Sequence, residues 1–234
     1  MLQSYAGRIS VLLCSVVLSM AVAASVVCAA QVDVITIDDP ITPVVAEYII
    51  KSIAEAEAAD AACLVIMMDT PGGLDLSMRK IIKSIHGSSV PVAVYVGPTG
   101  ARAASAGAII TIAAHVAAMA PGTNIGAAHP VNLGGGDMGK EMAAKVENDA
   151  AAYVESIAEK MGRNKEWAVQ AVRESVSISE TEALREKVID LVAADLTALL
   201  ESIDGRSVET VGGPVTLATA GAQVNRKKMG FREN

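Results

Sequence analysis

Two uninterrupted apolar runs, CLVIMM at residues 63–68 and PVAVYV at residues 91–96, constrain the fold more than any other feature of the chain. A strand with one face in water alternates apolar and polar residues. A strand that is apolar at every position needs cover on both faces, as in a parallel sheet clothed by helices. The intervening segments supply those helices. Residues 43–59 carry Val44, Val45, Ile49, Ile50 and Ile53 at helical spacing, and residues 74–85 place Met78, Ile81, Ile82 and Ile85 on one stripe. Further strands are predicted at 32–37, 116–120 and 188–192, and helices at 104–114, 141–161, around Trp167, at 181–184 and at 195–202. Strands alternating with helices imply βαβ units, hence an α/β fold with a mainly parallel sheet.

Composition narrows the function classes. Hydrophobic residues make up 52% of the 234 and aromatics only 3%, so alanine and the aliphatics must form a close-packed core. A net charge of −7 argues against nucleic acid or anionic lipid bound through bulk charge. No repeat of 20–50 residues recurs. Residues 1–30 hold one charge, Arg8, then an apolar stretch that closes on Cys28, Ala29 and Ala30, the pattern of a secretory signal cut after Ala30. The alternative is an uncleaved membrane anchor. Either way the protein is expected outside the cytoplasm. The expected organisation is a signal at 1–30, one α/β domain at 31–203, and a small β appendage with a polar tail at 204–234. Signal removal leaves Cys63 alone, read as a small buried hydrophobe. No H-E-x-x-H or GxxxxGK[ST] motif occurs, so neither metal nor nucleotide cofactor is expected.

Three places can carry chemistry. Asp69-Thr70-Pro71-Gly72-Gly73 follows a buried strand and precedes a helix, where paired glycines can aim backbone N–H groups at an oxygen; a plain strand-to-helix turn is the alternative. Ser105 lies in GARAASAGA (100–108), flanked by alanine and glycine at a helix start, small enough for a carbonyl to reach a nucleophile. It resembles a nucleophile elbow without the first glycine, and could equally be a small-residue helix. Lys145 sits on the long helix. As a general base it needs burial, for which Met142, Val146 and the Ser105 pocket are the expected neighbours; otherwise it is a solvated lysine paired with Asp149.

The segments MMDTPGG (67–73), YVGPTGARAASAG (95–107), APGTNIGAAHPV (120–131), KVEND (145–149) and GRNKEWA (162–168) together resemble the N-terminal domain of NfeD-type membrane-bound serine proteases, in the ClpP/crotonase superfamily. The resemblance implies a ClpP/crotonase-like spiral of ββα units and a Ser–Lys dyad. On this chain Ser105 would be the nucleophile and Lys145 the base. The N–H groups of Gly73 and Ala106 would form the oxyanion hole, with Gly72 shaping the turn. His129 lies near the position of a ClpP triad histidine, but the position of the orienting acid falls on Ser175, with Glu174 adjacent, so Lys145 is preferred. His86 and His115 are read as surface or strand-end residues.

The resemblance further implies a polypeptide substrate with apolar segments, stomatin- or prohibitin-like membrane partners and a homo-oligomer. Longer family members continue into transmembrane helices and an OB-like barrel, so the 234 residues here are expected to be a short member, a truncated gene or an isolated protease half. Two other readings stand beside the exported Ser–Lys endopeptidase: a catalytically silent scaffold for membrane partners, and a crotonase-type acyl-CoA enzyme using the same oxyanion hole.

Overall fold

Alternate residues of the apolar strands face two different cores, which is why neither run has a polar position. Leu64, Ile66 and Met68 point into one cluster with Ile35, Val94 and Met119; Cys63 and Val65 point into the other with Val34, Tyr95 and Ala118. The structure is a computed structural model and describes residues 30–131 and 139–229. The expected signal, residues 132–138 and the last residues of the tail lie outside the described residues.

In chain order the elements are β1 (Gln31–Ile37), α1 (Pro43–Ala58), β2 (Cys63–Met68), α2 (Asp75–His86), β3 (Val92–Val96), β4 (Arg102–Ala104), α3 (Ala106–Ala113), β5 (Val116–Met119), β6 (Asn124–Gly126), α4 (Gly139–Lys160), α5 (Lys165–Arg173), β7 (Ser177–Ser179), α6 (Glu180–Arg185), β8 (Leu191–Val192), α7 (Leu196–Ile203), β9 (Ser207–Thr210), β10 (Gly213–Thr216) and β11 (Gln223–Arg226). The central sheet has six strands in the order β11-β1-β2-β3-β5-β8, all parallel. Helices α1 to α5 cover one face, and α7 with β9 covers the other through Leu196, Leu199, Leu200, Ile203 and Val208.

A second sheet of three short strands, β4-β6-β7, was not foreseen. It makes β3-β4-α3 and β5-β6-α4 into two ββα units, each giving one strand to either sheet. The segment expected to form an appendage is divided. β9 and β10 form a hairpin, whereas β11 extends the central sheet beside β1. That edge is pinned by charge: Lys227 Nζ lies 2.8 Å from the fully buried Asp33 and 3.1 Å from Glu55, and Asn225 Nδ2 donates to Asp33 at 2.9 Å.

Helix α3 is buried at every position, so its ends must find partners inside the protein. At its C-terminus Arg163 Nη1 donates to the carbonyls of Ile112 (2.6 Å) and Ala114 (2.8 Å), while Nη2 donates to Asp190 (2.7 Å). A cation at this end also complements the helix dipole. Burial alone would raise the Asp190 carboxyl, but Arg163 and a bond from the Ala117 N–H hold it below the usual range. His86 meets the Ala113 carbonyl at 3.1 Å. His115, read as a surface or strand-end residue, stands directly before β5 and is buried, its Nδ1 accepting from the Val92 N–H at 3.0 Å.

Burial, with His86, Arg163 and Lys160 nearby, pushes the His115 imidazole down to about 4. Its unfolded value is near 6.5, so the unfolded chain binds the proton first. The contribution is complete above about pH 6.5 and disappears as the pH falls toward 4. Urea denaturation should therefore show a loss on the order of 3 kcal/mol across that window. The upper part of the window, above about pH 5.5, lies beyond the range where most carboxylates titrate, and there His115→Asn should flatten the slope. An unchanged slope in that variant would contradict this account.

Candidate active site

The site is built where two strand-to-helix turns meet. The first is Asp69–Gly73, after β2. Thr70 is fully buried, its Oγ1 donating to the Asp39 carbonyl at 2.8 Å and accepting from the Gly72 N–H at 3.2 Å. Asp69 Oδ1 accepts from the Arg102 N–H at 3.0 Å, Thr70 N–H donates to Arg102 O at 2.8 Å, and Ala104 N–H donates to Thr70 O at 3.1 Å. These bonds lace the first turn onto β4. On the other side Ile41 N–H donates to Gly72 O and Leu74 N–H to Ile41 O. Peptide groups alternate in direction along extended chain, so the Gly73 N–H is turned away from Ile41.

The second turn is Ser105, between β4 and α3. Its backbone sits at φ 51° and ψ −117°, a conformation that L-residues rarely adopt and that costs on the order of 1–3 kcal/mol. It is held there by its own N–H, which donates to Gly126 O at 2.9 Å. Serine at a helix N-cap ordinarily turns its hydroxyl onto the first-turn N–H groups. Here Oγ makes no capping bond. The N–H groups of Gly73 and Ala106 meet no protein acceptor among the described residues, and both residues line the same cleft as Ser105. A half-buried hydroxyl, two unpaired N–H donors and the positive end of a buried helix are thus brought together, which suits attack on a carbonyl and stabilisation of the oxyanion formed.

Gly72 is what lets the turns approach. Its φ is +113°, and a Cβ there would stand 2.6 Å from Ser105 Cβ and 3.2 Å from Oγ. Gly107, the second residue of α3, would likewise run a Cβ into the Thr70 methyl group.

The cleft has a volume of about 630 Å³ and walls of Leu74, Met78, Ile109, Ala128, Pro130, Val131, Val146, Ala150 and Tyr153. His129 also lines it. A carbonyl only accepts, so the 2.9 Å contact between Nδ1 and Val172 O puts a ring proton on Nδ1 and points Nε2 elsewhere. Ser175, at φ 56°, and Glu174 are exposed and make no bond to His129.

Lys145 is not brought to Ser105. Val146 and Ala150 line the cleft, but the Lys145 side chain is 69% exposed and lies 3.6 Å from Glu141. The expected burial is missing because α4 stands clear of the core over its first three turns; its buried residues begin at Ala151. Asp149, which the solvated-lysine alternative paired with Lys145, is bound instead to Arg79 at 2.6 Å. Cys63 is fully buried and its thiol is pushed up to about 12 by that burial, so it is a protonated core residue at neutral pH.

A family model of the NfeD1b N-terminal domain matches residues 31–203. The membrane-bound protease PH1510 of Pyrococcus horikoshii is 37% identical over 187 residues, 78% of this chain and 42% of that protein. The membrane protein NfeD1b of Bacillus subtilis is 29% identical over 160 residues, 68% of this chain and 35% of its own length. The chain therefore spans less than half the length of these curated relatives. A solved structure of the 1510-N membrane-bound stomatin-specific protease, a lysine-to-alanine mutant in complex with a substrate peptide, superposes with a TM-score of 0.81 at 35% identity, covering 88% of this chain and 95% of that one. A serine-to-alanine mutant of the same protease gives 0.80 at 36% identity, covering 86% and 99%. The expected ClpP/crotonase-like fold is the fold of this chain.

The glycine requirement can be separated from ordinary backbone strain. Gly100 also has positive φ, +91°, but nothing lies within 4 Å of a Cβ built there. Gly100→Ala should cost about 1–2 kcal/mol in urea denaturation, from backbone strain alone. Gly72→Ala should cost at least about 2 kcal/mol more, because the new methyl group collides with Ser105. Equal losses would show that the two turns are not in forced contact.

Proposed function

The chain belongs to the NfeD1b N-terminal-domain family, and from that premise we propose that it is a serine endopeptidase with Ser105 as nucleophile and Lys145 as general base. The observation that carries the proposal is the strained, uncapped Ser105 beside the unpaired N–H groups of Gly73 and Ala106. Support for a Ser–Lys pairing comes from the relative, whose solved forms include a lysine mutant holding a substrate peptide and a serine mutant.

In the proposed reaction the neutral amine of Lys145 takes the Ser105 Oγ proton as Oγ bonds to the peptide carbonyl carbon. The carbonyl oxygen becomes an oxyanion held by the Gly73 and Ala106 N–H groups. The C–N bond then breaks, Lys145 returns the proton to the leaving amine, and water hydrolyses the acyl-serine by the same route. Lys145 reaches Ser105 by leaving Glu141 and swinging over Val146, a motion open to an exposed side chain. An apolar substrate segment filling a cleft walled by Leu74, Met78, Ile109 and Val146 would exclude water and favour the neutral amine.

The partner chemistry follows the same line. We place the substrate among membrane-associated polypeptides of stomatin or prohibitin type, since the relative is named as specific for a stomatin homologue. We further propose that residues 1–30 direct export, that 31–203 form the protease domain and that it acts as a homo-oligomer. Among the described residues no helix is long and apolar enough to cross a membrane. His129 is the rival base because it already lines the cleft, but it is oriented by a carbonyl and not by a carboxylate.

Cleavage of an apolar peptide by the purified chain tests these assignments together. Ser105→Ala should lower kcat/KM by about a thousandfold or more with little change in stability. Lys145→Arg should be as inactive as Lys145→Ala, because a guanidinium does not give up its proton at usable pH. His129→Ala should stay within about tenfold of the wild type, the loss of a contact and not of the base. A folded but dead His129→Ala beside an active Lys145→Ala would reverse the assignment of the base.

A further inference from the structure

Lys145 has two carboxylates within helical reach on its own helix, Glu141 four residues before it and Asp149 four residues after. A lysine that must lose its proton is poorly served by either. The structure leaves Glu141 in contact at 3.6 Å, with 90% of its own side chain exposed, but diverts Asp149 entirely. Arg79, on α2, donates Nη2 to Asp149 at 2.6 Å and Nε to both oxygens of Asp75 at 2.9 and 3.1 Å. Its guanidinium lies 4.1 Å from the centroid of the Tyr153 ring, a wall of the cleft.

The same contact holds the helix. No residue of α4 before Ala151 is buried, so packing does not fix the turns that carry Lys145. They are braced by arginines from either side. Arg79 grips Asp149, and Arg173 of α5 reaches Asn148 at 2.8 Å and Glu147 at 3.4 Å. The charged and titratable groups around this stretch are therefore Lys140, Glu141, Glu147, Asp149 and Tyr153 on α4, Asp75 and Arg79 on α2, Arg173 on α5, and His129 from the cleft loop.

We propose that Arg79 is a positioning residue for Lys145: by capturing Asp149 it pins the helix turn that bears the lysine and withholds from the amine a carboxylate that would keep it protonated. This rests on the reading of Lys145 as the base. Arg79 touches neither the substrate bond nor Ser105; it acts through Asp149.

The test is the pH dependence of kcat/KM for peptide cleavage by the full chain, in wild type, Arg79→Gln, Arg79→Lys, Asp149→Asn and the double variant Arg79→Gln/Asp149→Asn, with Lys145→Ala beside them. Arg79→Gln frees Asp149 for Lys145. The rising limb should move to higher pH by about 0.2 to 0.7 unit at low salt, the size of an exposed ion pair, and move back as salt is added. Activity below the limb should fall by more than the shift alone explains, up to roughly tenfold, because the turn is no longer held. Arg79→Lys, which keeps the charge, should restore the limb, and so should the double variant, which removes the freed carboxylate. Asp149→Asn alone should not raise it. A merely structural Arg79 would lower kcat and leave the limb in place. An unmoved limb in Arg79→Gln, or a double variant that fails to restore it, beside an inactive Lys145→Ala, overturns the Arg79 proposal alone. An active Lys145→Ala overturns the reading of the base and this proposal with it.

Discussion

The approach of Gly72 to Ser105 is the constraint on which the cleft depends. Two strand-to-helix turns, one after β2 and one after β4, are forced to within a distance that excludes a single methyl group. Only then do the Gly73 N–H, from the first turn, and the Ala106 N–H, from the second, stand beside one hydroxyl. The strain at Ser105 is sustained because bonds on both sides over-determine it: its N–H to Gly126 O, and the lacing of Thr70 and Asp69 onto β4. The small sheet β4-β6-β7 is therefore the frame that holds the serine, since β6 supplies Gly126 and is itself paired with both β4 and β7.

The far end of α3 completes the frame. A fully buried helix of 8 residues exposes its N-terminus to the cleft only if its C-terminal carbonyls are satisfied elsewhere. Arg163 does this, and through Asp190 and Arg206 it ties α3 to the start of β5, to β8 and to the segment before β9. Removing Arg163 would leave the Ile112 and Ala114 carbonyls buried without their donor and Asp190 with only the Ala117 N–H and Arg206, so its effect would reach Ser105 along the helix axis. The helix bearing Lys145 is built differently. Its second half is packed and its first half is held by exposed ion pairs, which leaves the Lys145 side chain exposed.

The central strands and most helices were legible because each has enough residues to show its period. CLVIMM and VAVYV read as doubly covered strands, and both α1 and α2 announced themselves through apolar stripes. The second sheet was not legible. RAA, NIG and SIS are three residues each, and their pairing is set by tertiary contact and not by pattern. The strand expected at 188–192 contracts to Leu191–Val192, because Val188 and Ile189 turn into the α-helical core and Asp190 is spent on Arg163. In the site, the two turns that hold Gly72, Gly73 and Ser105 stood out by their small residues, but the roles of Ser105, Gly73 and Ala106 came from the family resemblance and not from pattern. Burial of Lys145 could not be judged from Met142 and Val146, since a helix's own apolar residues do not reveal whether another layer covers them. Arg79 gave no sequence signal and Thr70 none beyond its place in the 69–73 turn; their contacts to Asp149 and to Asp39 join segments distant in the chain.

The central claim is that Ser105 is a nucleophile held ready by its backbone. Treating the chain with a fluorophosphonate, which reacts with activated serine hydroxyls, and mapping the adduct by peptide mass spectrometry tests this without a known substrate. The account predicts one adduct, on the peptide containing Ser105, lost in Ser105→Ala and slowed in Gly72→Ala. A chain that cleaves peptides but carries no adduct at Ser105, or carries it on another serine, would contradict it.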